Sequence, residues 1–243
     1  MTQNKLTHDL FNTSLFGVVC VQQWADLAMW EKLFNALRER EVLENERKIT
    51  GTNLMGVVEI GSGRGAMSAF LAMQCSQRGY IFRTYDKTVP EFSGTHLGTT
   101  FLRIGYPQEL NKNAISGKFG FNHLEEVGAL NNFPSTNADK DLLEFIDSTH
   151  IALGNYNNDE NLSWGNVLVF CDNGNKPVEF NSIIPYLERG DIIAVHDWGT
   201  EFNPPDVYDY TLLGLEKRGL KLVPLFDEEV KQFELRTYWW RLE

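Results

Sequence analysis

The stretch Met55-Gly56-Val57-Val58-Glu59-Ile60-Gly61-Ser62-Gly63-Arg64-Gly65-Ala66 lies where a short apolar run changes into a glycine-rich turn. The mostly apolar residues 54–60 are typical of a strand that is buried on both faces of a parallel sheet. The pattern after the turn predicts a helix over Ala66–Arg78, ended by Gly79. A strand that passes through glycines into a helix directs backbone N–H groups and the positive helix end at the carboxyl edge of the sheet, where such folds bind ligands.

The rest of the chain alternates strand-like and helix-like patterns. Strands are predicted at residues 80–85, 166–171 and 191–195, and helices at residues 139–148, 177–188 and 207–217. Residues 220–226 and 233–240 predict two final strands, joined as a C-terminal antiparallel hairpin by the acidic turn Asp227-Glu228-Glu229. This alternation predicts an α/β fold with a Rossmann-like, doubly wound and mostly parallel sheet.

Two segments stand apart from this alternation. Residues 1–50 are predicted to form an N-terminal helical cap, because apolar residues recur at helical spacing in residues 24–40 but one long helix cannot enclose a core alone. Residues 51–243 then form the main α/β domain. The tract 88–137 within it is rich in Gly and Asn and lacks a clear period, so it is either a lid or insertion or contains an unrecognised element, for instance a strand at residues 101–104.

Composition limits the partners and the compartment. The chain has 243 residues and a net charge of −11, with no basic cluster that could hold nucleic acid through phosphate contacts. The apolar run at residues 15–21 is too short to span a membrane. The three cysteines, Cys20, Cys75 and Cys171, are widely spaced and form no C-x-x-C pair, which favours reduced thiols and a cytoplasmic protein. We expect a small-molecule substrate, and the sequence leaves open whether the chain forms a homo-oligomer.

The glycine turn alone fits two classes of cofactor. Gly61-x-Gly63-x-Gly65-Ala66 also satisfies the dinucleotide fingerprint of NAD-dependent oxidoreductases. Glu59 favours a cationic sulfonium or aminoacyl ligand, because a carboxylate at this strand end would repel a pyrophosphate. Asp86, at the end of the next strand, can accept hydrogen bonds from the ribose hydroxyls of either cofactor. A C-terminal hairpin is unusual in dehydrogenase cofactor domains.

Together these residues resemble a known family. Val57-Val58-Glu59-Ile60-Gly61-Ser62-Gly63-Arg64-Gly65 resembles the first motif of class I S-adenosylmethionine-dependent methyltransferases, and Asp86 occupies the position of the acidic residue of their second motif. The later stretches 169–176 and 193–198 resemble the branch that contains cephalosporin-hydroxylase-like and sugar O-methyltransferases. This sequence carries Asn175, followed by Lys176, where that branch tends to have a histidine.

The resemblance implies roles for particular residues. Glu59, Gly61, Ser62, Gly63 and Asp86 are expected to surround S-adenosylmethionine, with Gly65 completing the turn. Asp172, Asp197 and His196 are expected to face the substrate and to bind a divalent cation such as Mg²⁺. The function implied is O-methylation of a small-molecule, sugar-like hydroxyl.

The residues themselves leave alternatives open for this chemistry. His196 has an ordinary pKa and a strand-end location that suit a general base. Lys176 serves as a base if burial lowers its pKa, or else steers an acidic substrate. Asp172 and Asp197 either converge on a metal ion or cap the helices that follow them. A non-catalytic binding module and an NAD-dependent oxidoreductase remain the alternatives to a methyltransferase.

Overall fold

The computed structural model describes residues 13–15, 18–20, 22–47, 55–62, 65–86, 119–123, 137–154 and 167–243. These ranges contain nine strands: β1 (Thr13–Leu15), β2 (Val18–Cys20), β3 (Gly56–Ile60), β4 (Ile81–Asp86), β5 (Phe119–His123), β6 (Val167–Cys171), β7 (Ile192–Val195), β8 (Leu222–Leu225) and β9 (Tyr238–Leu242). The α-helices in these ranges are α1 (Trp24–Arg47), α2 (Ala66–Arg78), α3 (Asn137–Gly154), α4 (Lys176–Ile183), α5 (Asp209–Lys217) and α6 (Asp227–Phe233).

Seven strands form one sheet in the order β5-β4-β3-β6-β7-β9-β8. The first five of these are parallel, and β9 runs antiparallel to both β7 and β8. The order reverses between β3 and β6, which is the position where open α/β sheets bind their ligands. The predicted doubly wound sheet with a C-terminal antiparallel pair is therefore confirmed.

The central strands are buried on both faces, as their apolar sequences predicted. Every residue of β3, β6 and β7 is buried, because helices cover both sides of the sheet. Helix α1 is part of this core: Trp30 packs edge-on against Phe170 of β6 and Trp239 of β9, at ring-centroid distances of 5.0 and 5.5 Å. Among the described residues, no helix combines the length and the apolarity that crossing a bilayer requires.

Several boundaries differ from the sequence prediction. Helix α4 ends at Ile183 and continues as a 3₁₀ turn over Ile184–Tyr186, because Pro185 has no N–H to donate to the preceding helical turn. The predicted turn Asp227-Glu228-Glu229 is wrong: these residues form the first turn of α6, where acidic side chains stabilise the positive helix end. The last strand therefore begins at Tyr238 and not at residue 233.

The tract 88–137 contributes one described strand. β5 pairs parallel with β4 and forms the edge of the sheet, with His123 opposite Asp86. The strand expected at residues 101–104, and the rest of the tract except Asn137, lie outside the described residues.

Candidate active site at the carboxyl edge of the sheet

The glycine turn after β3 is held by the strands on either side of it. The N–H of Gly61 donates to the carbonyl of Tyr85 at 2.6 Å, and the N–H of Asp172 donates to the carbonyl of Ile60 at 2.7 Å. Gly61 has a φ of +101°, and a Cβ there would lie 2.4 Å from the Asp172 carbonyl oxygen. Glycine is thus required at this position for two reasons: the end of β6 lies too close for a Cβ, and the backbone is in the left-handed region.

Gly65 forms the second described part of the turn. It is the N-cap of α2, with a φ of +80°, and its N–H donates to the carbonyl of Ser62 at 2.7 Å. The predicted helix bounds are confirmed, since α2 begins at Ala66 and ends before Gly79. Gly63 lies outside the described residues.

Glu59 lies beneath this turn and not at its surface. Its side chain is fully buried, and its Oε2 accepts hydrogen bonds from the hydroxyls of Ser68 on α2 and Thr84 on β4, the latter at 2.6 Å. The hydroxyls of Ser62 and Thr84 lie 2.5 Å apart, so Ser62 joins the same network. The carboxylate predicted to face the cofactor therefore connects the turn to its neighbouring elements in this structure.

Asp86 is the last residue of β4, beside the end of β3. Its backbone lies at the carboxyl edge, where the sequence predicted it, and its side chain is not among those described. The contact of Asp86 with a ribose therefore stays a prediction.

The ends of β6 and β7 bring together the other predicted site residues. Nδ1 of His196 lies 2.9 Å from Oδ1 of Asp172 and 3.4 Å from Oδ2 of Asp197. Nζ of Lys176, the first residue of α4, lies 3.0 Å from Asp197 Oδ2, 3.8 Å from Asp172 Oδ1 and 2.7 Å from Glu201 Oε2. One charged cluster thus contains four predicted site residues: Asp172, Lys176, His196 and Asp197.

Backbone geometry places Asp197 in this cluster. Its φ is +59°, in the left-handed region that Asp tolerates better than most residues. Its carbonyl accepts hydrogen bonds from the N–H groups of Thr200 and Glu201 at 3.1 and 2.9 Å, which closes a tight loop directly after β7.

Three residues of the cluster were not identified from the sequence. Arg236, before β9, forms an ion pair with Asp197, and Glu201 binds Lys176. Nε2 of Gln22, before α1, donates to Asp172 Oδ2 at 3.2 Å. No motif marks these positions: Gln22 and Arg236 come from distant parts of the chain, and Glu201 comes from the loop directly after β7. The cluster contains three carboxylates and three basic groups.

The environment changes the charge state predicted for the two candidate bases. Burial lowers the pKa of His196, but the charge of Asp172 and hydrogen bonds to Asp172 and Asp197 outweigh it and raise that pKa to about 10. Burial likewise lowers the pKa of Lys176, and the carboxylates of Asp172, Glu201 and Asp197 raise it above its ordinary value. The condition under which Lys176 would serve as a base, a lowered pKa, is therefore not met. Both groups are cations at neutral pH.

The pKa values of two acidic groups near this cluster shift in opposite directions. Burial opposes ionisation of Asp197, but His196 and Lys176 hold its pKa well below the ordinary value. Burial raises the pKa of Glu179 on α4 to about 8, although its carboxylate oxygens accept from the N–H groups of Asn173 and Asn175 at 3.4 Å. Glu179 is thus largely neutral at pH 7, while Asp197 is ionised.

The predicted metal ligands lie close enough to share an ion. Asp172, His196 and Asp197 each offer a ligand atom, and these atoms lie within 4.8 Å of one another. The same carboxylates already have cationic partners, since Lys176 and Arg236 lie against Asp197. A divalent cation would have to compete with these groups.

Comparisons with known proteins find only remote likenesses. No protein-family profile matches the sequence, and no curated protein matches it. A methyltransferase from Podospora anserina, PaMTH1, is 12% identical with a TM-score of 0.40, over 78% of this chain and 72% of that one. The carbon methyltransferase CurJ is 12% identical with a TM-score of 0.40, over 87% of this chain and 54% of that one.

A SAM-dependent methyltransferase from Aquifex aeolicus is 13% identical with a TM-score of 0.34, over 87% of this chain and 96% of that one. All three TM-scores are below 0.5. These likenesses therefore do not by themselves establish the function of this chain.

Proposed function

We propose that the protein is an S-adenosylmethionine-dependent methyltransferase. The observation that carries the proposal is the strand order. Numbered by their place in the chain, the strands of the main sheet run 3-2-1-4-5-7-6 with the seventh reversed, whereas a dinucleotide-binding sheet runs 3-2-1-4-5-6. The glycine turn also lies where this order reverses, which is the position where open α/β sheets bind their ligands.

The cofactor is proposed to bind across the ends of β3 and β4. The turn from Gly61 to Gly65 would bring backbone close to it, and Asp86 would accept hydrogen bonds from its ribose hydroxyls. Glu59 is buried behind the turn, so its contribution would be to hold Ser62 and Thr84 in place and not to contact the ligand. When bound, S-adenosylmethionine supplies a methyl group on a cationic sulfur.

The acceptor is proposed to be the hydroxyl of a small, sugar-like molecule at the ends of β6 and β7. Asp172 is proposed to take the proton, because its carboxylate is partly exposed whereas His196 and Lys176 are buried cations. Asp172 would take the proton of the substrate hydroxyl as that oxygen accepted the methyl group that the cofactor would supply. His196 keeps Asp172 oriented through the 2.9 Å contact.

Calorimetry on the full chain tests the cofactor. We expect S-adenosylhomocysteine to bind and NAD not to bind. Asp86→Ala should weaken S-adenosylhomocysteine binding about 10- to 100-fold, because hydrogen bonds to a charged acceptor are lost, while the exposed Asp209→Ala should leave it unchanged. Binding of NAD alone would favour the oxidoreductase, and binding of neither would favour a non-catalytic module.

Divalent-cation binding remains a separate proposal. Titration of the chelator-treated protein with Mg²⁺ should give a saturable heat that Asp172→Asn abolishes if the three ligands share an ion. If no Mg²⁺ binds, the metal-site proposal is overturned, and Lys176, His196 and Arg236 alone balance the charge of these carboxylates.

A further inference from the structure

An open pocket lies on the face of the sheet opposite α1. Its volume is about 430 Å³, within the range of about 300–1,000 Å³ that is typical of small-molecule sites. Trp198, just after β7, forms one wall together with Tyr238 and Trp240 of β9. Trp239 of the same strand packs against Trp30 of α1. Because successive residues of a strand alternate between its faces, Tyr238 and Trp240 lie on the other face. No residue proposed to hold the cofactor or the acceptor is among the described residues that line this pocket.

The three aromatic rings form a continuous wall and not a cage. The ring centroids of Trp198 and Tyr238 lie 4.4 Å apart, and those of Tyr238 and Trp240 lie 4.5 Å apart. Those of Trp198 and Trp240 are separated by 5.4 Å. A ligand atom between two rings needs about 3.5 Å on each side, so no group fits among them. A ligand therefore lies against the wall, where a flat ring makes the largest contact.

Most of the remaining lining is aliphatic. Leu212 of α5, Leu222 of β8 and Val230 of α6 contribute to it. Apart from the aromatic residues, only Asp227 and Lys231 offer polar side chains among the described lining residues, and these two pair with each other at 2.5 Å. A sugar in this pocket would bury several hydroxyls without partners, which is unfavourable. The lining therefore favours an apolar, aromatic ring over a sugar.

Asp227 gives the pocket one fixed negative charge. Hydrogen bonds with Lys231 and Tyr238 lower the pKa of Asp227, so its carboxylate is ionised at neutral pH. The hydroxyl of Tyr238 donates to Asp227 Oδ1 at 2.5 Å, which fixes the carboxylate against the aromatic wall. The side chain of Lys231 is 67% exposed, and surface ion pairs of this kind contribute little to stability. The ammonium group of a ligand can therefore take the place of Lys231 beside Asp227.

The surroundings of Asp227 also favour a positive charge on the ligand. The first turn of α6 carries three carboxylates, those of Asp227, Glu228 and Glu229. The ion pairs described for this turn involve two lysines, Lys231 and Lys32. The net charge of the whole chain, −11, acts in the same sense. An anionic ligand is therefore disfavoured at this end of the pocket.

We infer that this pocket binds a small aromatic amine, with its ring against Trp198, Tyr238 and Trp240 and its protonated amine at Asp227. The inference does not depend on the proposed methyl transfer, and its test needs no cofactor. Binding of an aromatic amine without binding of S-adenosylhomocysteine would support this inference and count only against the proposed function.

Calorimetry with three indoles of matched size tests the ligand class on the full chain. Tryptamine carries an ammonium, tryptophol a hydroxyl and indole-3-propionate a carboxylate on the same ring. We expect tryptamine to bind with a dissociation constant of about 1 mM or lower. Tryptophol should bind about threefold more weakly and indole-3-propionate more weakly still, because Asp227 attracts only the cation. Methyl glucoside should not bind.

Two variants test the role of the carboxylate. Asp227→Asn should remove the preference for tryptamine over tryptophol. Asp209→Asn is the control, because Asp209 is also an acidic residue in the first turn of a neighbouring helix but does not line the pocket. It should keep the preference. A preference that Asp227→Asn leaves intact overturns the assignment of the amine to Asp227.

Two leucines of α5 test the location. Leu212 and Leu213 are 46% and 54% exposed, and of the two only Leu212 lines the pocket. Leu212→Trp should fill part of the pocket and weaken tryptamine binding at least about tenfold, whereas Leu213→Trp should leave it unchanged. In nitrogen-15 NMR, tryptamine should move the indole N–H resonances of Trp198 and Trp240 but not that of Trp239. Equal losses in the two leucine variants, or no binding of tryptamine to the full chain, overturns the inference.

Discussion

The two halves of the carboxyl edge are stabilised in different ways. At β3 and β4, the turn is held by backbone hydrogen bonds, a glycine without room for a Cβ, and the hydroxyls of Ser62 and Thr84. At β6 and β7, the cluster around His196 and Lys176 is held by opposite charges. The first half depends on shape and the second on charge balance. Substitutions that add volume should therefore destabilise the glycine turn at β3 and β4. Substitutions that remove a charge should destabilise the cluster at β6 and β7.

Gly61→Ala should have the largest effect. The added Cβ would lie 2.4 Å from the Asp172 carbonyl oxygen, and the φ of +101° disfavours any side chain. We expect the free energy of unfolding to fall by about 3–5 kcal/mol, from steric overlap plus backbone strain. Urea unfolding measures the loss.

Gly199→Ala is the control for Gly61→Ala. Gly199 also has a positive φ, of +80°, but nothing lies within 4 Å of its Cβ position. We expect a loss of about 1 kcal/mol, from strain alone. Equal losses in the two variants would show that close packing against β6 is not what requires Gly61.

Lys176→Met should have the next largest effect, on the charged half. It removes a buried cation and leaves Asp172 and Asp197 with fewer partners, so we expect a loss of about 2–4 kcal/mol in urea unfolding. Lys32→Met is the control, because Lys32 is 52% exposed and pairs with Glu229 on the surface; it should cost under about 1 kcal/mol. A Lys176→Met loss no larger than that of Lys32→Met would contradict the charge-balance interpretation.

Glu179→Gln should change the pH dependence of stability. The pKa of Glu179 is raised from 4.5 to about 8, so the folded state keeps a proton that the unfolded state releases. The contribution of Glu179 to the free energy of unfolding is fully present below pH 4.5 and is lost as the pH rises through 8. The free energy of unfolding falls over this range by up to about 1.4 kcal/mol per pH unit. Unfolding measured from pH 5 to 8 should show a flatter profile in the variant. Parallel profiles would mean that Glu179 is ionised in the folded protein.

The same contrast explains what the sequence could predict. The glycine turn and α2 were predicted correctly because their signals are local: Gly65 and Gly79 both take left-handed conformations at the helix ends. Asp172 and His196 were placed together because strand ends of a parallel sheet meet at one edge. Arg236 was missed because it precedes a strand whose start was predicted five residues too early.

Charge states were harder to predict than positions. The ordinary pKa of histidine suggested a base, but two carboxylates from different loops make it a cation. A buried charge on α1 does leave a signal in the sequence. Asp26 lies four residues before Trp30 on the buried side of this helix, and a charged residue on such a face needs a partner. Its carboxylate accepts a hydrogen bond from the N–H of Thr237 at 3.0 Å.

Ser62→Ala should have the smallest effect and sharpen the contrast between the two halves. It removes one neutral hydroxyl from the network with Thr84 and Glu59, so we expect a loss of about 0.5–1.5 kcal/mol. Because no charge is removed at Ser62, this loss should stay below the loss in Lys176→Met, which removes a buried cation. Urea unfolding measures both. A loss in Ser62→Ala as large as the loss in Lys176→Met would mean that the buried charge of Glu59, and not the hydroxyl network, governs the stability of the glycine turn.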